Sequence, residues 1–166
     1  MTKCKFMVFI WASGLFIASN PLADFAQTTA QRHRAPKLIK VGIVRDPASF
    51  DEGGGCWLQL PADHKKRNER YVFMSDLEDN AIINIDGEDT KLKPISRREP
   101  TRDPKKGERS TANYAAKGTK VRVDSVVAGV CPPNFEDCES ASYDATITVI
   151  RGPGKQVVKV KGDCGS

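Results

Sequence analysis

Histidine is almost missing from this chain: His33 and His64 are the only two among 166 residues. No HExxH, GxSxG or CxxC motif occurs, and no glycine pattern of the kind that cradles a nucleotide phosphate. Gly53, Gly54 and Gly55 form a bare run with no Gly-Lys-Ser after it. These absences remove the common arrangements for nucleophilic catalysis, zinc hydrolysis and nucleotide chemistry. The expectation is a protein that is not an enzyme, with no catalytic residue, no metal and no cofactor. A carboxylate site on the acidic segment Asp76 to Asp89 is the single enzymatic alternative, and no base accompanies it.

Long apolar runs are scarce as well. The longest, Phe6 to Ala18, has 13 residues, whereas a membrane-spanning helix needs about 20. Lys3 and Lys5 precede it and the small-residue stretch SNPLADFAQ follows. That order is the pattern of a secretory signal peptide. The expected organisation is a signal at residues 1–26, a polar leader at 27–37 and one domain at 38–166. The protein is then periplasmic or secreted, and not an integral membrane protein. The whole chain has 26 Lys and Arg against 21 Asp and Glu. Loss of Lys3, Lys5 and Asp24 with the signal leaves a net charge of about +4, mildly basic.

Helical periodicity is also wanting. No window keeps apolar residues at the 3.6-residue spacing of an amphipathic helix. PADHKKRNER (61–70) is long enough for a helical turn but is polar all round. Short β-rich runs separated by turn residues fill the rest: LIKVGIV (38–44), CWLQL (56–60), YVFM (71–74), AIINID (81–86), TKLKPI (90–95), TKVRVDSVVAGV (119–130), SYDATITVI (142–150) and QVVKVK (156–161). Asp86-Gly87 marks a hairpin, because a type I′ turn needs positive φ at both central residues. RGPGK marks a second. In AIINID, Ala81, Ile83 and Ile85 share one face. The alternation slips at Ser125-Val126-Val127, which suggests a bulge or bend. The expected fold is all-β: a small antiparallel barrel or sandwich of about eight to nine strands.

Four cysteines remain after the signal: Cys56, Cys131, Cys138 and Cys164. In an exported chain an even number reads as disulfides. Four cysteines allow three pairings. The preferred one joins Cys131 to Cys138, which are close in sequence, and Cys56 to Cys164. In CPPNFEDCES (131–140) the acidic residues have no metal-loop spacing. The thiols have no basic neighbour to lower their pKa. A stapled loop is the expectation there.

Charge is unevenly placed. Residues 71–90 hold six carboxylates and no Lys or Arg. Residues 91–109 hold eight basic residues against three acidic ones, a local balance of +5. Within SRREPTRDPKKGERS (96–110), read as a long exposed loop, Arg97, Arg98, Arg102, Lys105, Lys106 and Arg109 form the candidate binding surface. Such a patch suits an anionic polymer or envelope surface. It lacks the interleaved aromatics on which nucleic-acid bases stack, so no specific nucleic-acid binding is expected.

The strands and cysteines together resemble a group of small exported bacterial proteins of unknown function. The likeness lies in the glycine run before CWLQL, NIDGEDTKLKP, KVRVDSVV, VCPPNFEDCE, YDATITV and KGDCG, and it spans about residues 38–164. It implies no activity. A looser similarity is to periplasmic inhibitors of C-type lysozyme, which are small β-barrels. There a hairpin like INIDGEDTKLKP precedes a Ser-Gly-x-x-Tyr loop that enters the lysozyme cleft. Here KKGERSTANY supplies Gly107, Ser110 and Tyr114 in a different order and spacing. This similarity implies an alternative function, secreted inhibition of a hydrolase such as lysozyme.

Overall fold

The computed structural model describes residues 38–50, 54–78, 80–98, 104–132 and 140–165. The expected signal and leader, Arg102 and Cys138 lie outside the described residues. Nine strands are present among them: β1 (Val41–Gly42), β2 (Gly55–Gln59), β3 (Tyr71–Ser75), β4 (Ala81–Ile85), β5 (Glu88–Arg98), β6 (Arg109–Ala116), β7 (Thr119–Gly129), β8 (Ser140–Arg151) and β9 (Gly154–Gly165). From β2 onward each strand pairs antiparallel with the next in the chain, and β9 pairs back onto β2. Eight strands therefore close an up-and-down barrel. β1 is an extra strand beside β4. The fold expected as barrel or sandwich is a barrel.

Alternation builds the interior. Ala81, Ile83 and Ile85 of β4 point inward, as their shared parity requires. Val121 and Val123 of β7, Ala145, Ile147 and Val149 of β8, and Val160 of β9 do the same. Leu58, Phe73, Leu92 and Tyr114 fill the remaining volume, with Phe73 and Tyr114 edge to face at 5.5 Å. Eight strands leave a lumen just wide enough for such side chains. Each large apolar group so buried contributes about 2 kcal/mol.

The turns follow the residues that form them. Asp86 (φ 56°) and Gly87 (φ 87°) are both left-handed, as the type I′ hairpin between β4 and β5 demands. Gly152 (φ 55°) and Pro153 join β8 to β9. The polar stretch after β2 forms the short helix α1 (Pro61–Lys65), with Pro61 in its first turn. The segment LIKVGIV forms only two residues of strand, because its role is to cover. Ile39, Val41 and Ile43 pack on the barrel core, while Val44 joins Met74 and Ile82 in a second cluster with Phe50, Trp57 and Tyr71. The bend suggested at Ser125 to Val127 is displaced. The register shift falls between Val127 and Gly129, and Ser125 keeps an inward position opposite Ala145.

Closure rests on the β2–β9 seam. It has five residue pairs, against twelve between β8 and β9. Cys56 and Cys164 are direct partners in it, with Cα atoms 4.0 Å apart, and form a disulfide across 108 residues of sequence. Gly162 lies in the same seam, where a Cβ would stand 1.8 Å from the Trp57 carbonyl oxygen. Only glycine allows the two backbones to approach so closely. Cys131 is also disulfide-bonded.

Replacing Cys56 and Cys164 with alanine is expected to lower unfolding free energy by about 4 kcal/mol, since the bridge closes a long loop. Denaturant titration of the oxidised variant and parent checks this. Gly162→Ala is expected to lower the melting temperature with the disulfide intact, whereas an unchanged value would mean that the seam tolerates the added methyl.

Candidate functional site

A single extra residue decides where the two central arginines go. In β5, Pro94 faces Tyr114 but Ser96 faces Asn113, so Ile95 has no partner across the ladder. Pro94 has no N–H to donate, and a bulge is where a strand accommodates it. The bulge inverts the alternation beyond it. Arg97 now stands opposite inward-facing Ala112, and Arg98 stands opposite outward-facing Thr111. The expected basic loop is therefore divided between two faces, and its flanks are strand. Arg97 lines the barrel mouth. Arg98 and Arg109 line a groove on the outer wall. Lys105 and Lys106 are exposed in the turn before β6, which is closed by the Glu108 N–H donating to the Lys105 carbonyl.

The outer groove has a volume of about 950 Å³ and lies over β6 to β9. Pairing brings its residues into rows across the strands. One row runs Arg98, Thr111, Asp124, Thr146, Lys159, and the next runs Arg109, Val126, Asp144, Lys161. With Arg122 the lining contains five basic residues and two carboxylates, a balance of +3. Both carboxylates are engaged. Asp124 accepts from Arg122 Nε at 2.7 Å and Nη2 at 2.7 Å, and from Thr111 Oγ1 at 2.8 Å. Lys161 donates to Asp144. The Arg122 hydrogen bond is the main cause that holds the Asp124 carboxyl below its ordinary pKa, against a smaller opposing effect of burial. Among the described residues, no ion pair involves Arg98, Arg109 or Lys159.

The mouth is smaller, about 60 Å³. The Cys56–Cys164 disulfide, Ser75, Ser110, Ser125, Arg97 and Tyr143 surround it above Leu58 and Phe73. Burial is the first cause that raises the Tyr143 hydroxyl above its usual pKa; the nearby Arg97 charge acts in the opposite sense and Glu108 adds to the rise.

Among the described residues of the acidic segment, Asp76, Asp86 and Asp89 accept hydrogen bonds from backbone N–H groups. Asp76 accepts from the Asn80 backbone N–H at 2.7 Å and closes a turn. Asp86 accepts from Lys40 N–H at 2.9 Å and from Arg151 at 3.2 Å. Asp89 accepts from the backbone N–H groups of Arg45 and Asp46 and from Asn84 Nδ2. Asp86 and Asp89 fasten the N-terminal cover to the barrel. Among the described residues no group of three His, Cys, Asp or Glu is placed to hold a metal, and no helix is long and apolar enough to cross a membrane. Tyr114, the aromatic of the Ser-Gly-x-x-Tyr comparison, is 4% exposed inside the barrel.

Arg122, Lys159 and Lys161 were not among the expected contact residues. Their outward parity is legible in KVRVD and VVKVK. Their gathering with Arg98 and Arg109 depends on pairing across five strands, and no local signal carries that. Compared with protein-family models, characterised proteins and solved structures, the chain matches none.

Because the folded carboxyl of Asp124 titrates low, its stabilising contribution is present above its unfolded pKa of about 4 and is lost as pH falls through the folded value. Asp124→Asn is therefore expected to be less stable than the parent at neutral pH, with the gap narrowing below about pH 4. Denaturation curves across that range check it. Tyr143→Phe is expected to remove one late-titrating hydroxyl from the ultraviolet tyrosine titration.

Proposed function

We propose that this chain is an exported, non-enzymatic barrel module that binds an anionic surface or polymer through the outer wall of β5 to β9. One observation carries the reading: the groove gathers five basic side chains, of which Arg98, Arg109 and Lys159 have no ion pair among the described residues. Such an arrangement concentrates positive potential in a concave surface, where it attracts polyanions. The two acids present there are already engaged by Arg122 and Lys161, so they offset little of that attraction toward a ligand. The opposite side of the barrel supports the same assignment. There the outward residues Trp57, Met74 and Ile82 are packed with the chain's own Val44 and Phe50, whereas the groove over β6 to β9 is open. A disulfide that joins the first and last barrel strands suits an oxidising compartment outside the cytoplasm.

The test is retention on immobilised heparin and on vesicles containing phosphatidylglycerol, at rising salt. The parent is expected to bind at least one of them at low salt and to elute steeply as salt increases. The Arg98→Ala, Arg109→Ala, Lys159→Ala triple variant is expected to lose most of that retention while its melting temperature stays close to the parent's. Retention that ignores salt, or that survives the triple substitution, contradicts the proposal.

A further inference from the structure

We infer that the occupant of the groove is a linear anionic polysaccharide lying across the strands, an inference that rests on the anionic-binding reading above and narrows it. Three features of the groove select this chemistry. The first is shape. The basic groups line an open groove that also takes in Arg98 on β5 and Pro61 at the start of α1. A planar membrane touches rims, while a single polymer strand reaches a floor. The row from Arg98 to Lys159 crosses four strand spacings, about 19 Å measured along the wall, so a polymer that reaches both ends follows the curve of the barrel.

The second feature is the mixture of groups. Thr111, Asp124 and Thr146 lie between Arg98 and Lys159 in one row, and Val126 and Asp144 lie between Arg109 and Lys161 in the next. A chain that alternates sulfate or carboxylate groups with free hydroxyls presents both kinds of partner at short intervals. Its anions meet Arg98, Arg109 and Lys159, and its hydroxyls can donate to the remaining lone pairs of the two carboxylates. The third feature is what the lining omits. No Phe, Tyr or Trp lies in it, so it offers no platform for nucleic-acid bases, whose stacking on aromatic rings contributes about 1–3 kcal/mol per base.

The full chain is titrated with a fluorescent heparin oligosaccharide, with single-stranded DNA of equal charge, and with phosphatidylglycerol vesicles. The oligosaccharide is expected to bind about tenfold more tightly than the DNA. Arg98→Ala with Lys159→Ala is expected to weaken oligosaccharide binding by about tenfold. Lys120→Ala with Lys155→Ala removes the same charge outside the groove and is expected to change it by less than about twofold. Vesicle binding without oligosaccharide binding overturns this inference and leaves the anionic-surface reading standing. Binding to none of the three overturns both. Equal affinity for DNA, or equal weakening by the two double variants, overturns the assignment of the polysaccharide to the groove.

Discussion

The short ladder between β2 and β9 is the constraint on which this structure depends. Every other neighbour relation in the barrel joins strands adjacent in the chain, so it forms by local closure. The β2–β9 seam alone brings together residues more than a hundred positions apart, and it does so with five residue pairs. Such non-local pairing is slow to form and carries the largest loop-closure cost. Two residues answer that difficulty. Cys56 and Cys164 face each other in the ladder and bond covalently, and Gly162 lets the backbones meet where any Cβ would collide with the Trp57 carbonyl. If the seam opened, the same strands would be an open meander with two exposed edges, and the curved outer wall would lose its shape.

Once the barrel is closed, its two outer halves have different fates. β2, β3 and β4 present Trp57, Met74 and Ile82 outward, which cannot be left to water, and the segment from Ile39 to Phe50 covers them. Asp86 and Asp89 hold that cover in place by accepting backbone N–H groups. The acidic run that looked like a candidate site is thus largely structural. The wall of β5 to β9 presents Thr, Lys, Arg and Asp together with exposed Ile95, Ile150 and Val157, and the described chain lays no equivalent cover over it.

Much of the fold was legible because period-2 patterning is strict wherever one face is buried. AIINID, SYDATITVI and QVVKVK each place the expected residues inward, and Asp86-Gly87 forms the expected turn. β6 was hidden. Its inward residues are Ser110, Ala112, Tyr114 and Ala116, too small or too polar to announce an apolar face, and RSTANYAA reads as the end of a loop. The site was legible only in part. Arg98 and Arg109 stood out by charge density, but the bulge at Ile95 sends Arg97 to the mouth instead. Lys159, Lys161 and Arg122 come from strands far along the chain. Neighbourhood across a barrel wall is a property of register, and register depends on the seam and the bulges together.

A stapled seam closes the barrel, and strand register across β5 to β9 places dispersed cations along one groove. Binding of anionic polymer on that wall is tested most directly by backbone amide NMR of the isotopically labelled protein during titration with a heparin oligosaccharide. Perturbed resonances are expected to cluster on Arg98, Thr111, Thr146, Lys159 and their row neighbours, with β3 and β4 silent. Perturbations confined to β2, β3 and β4, or scattered over every exposed lysine, would contradict it.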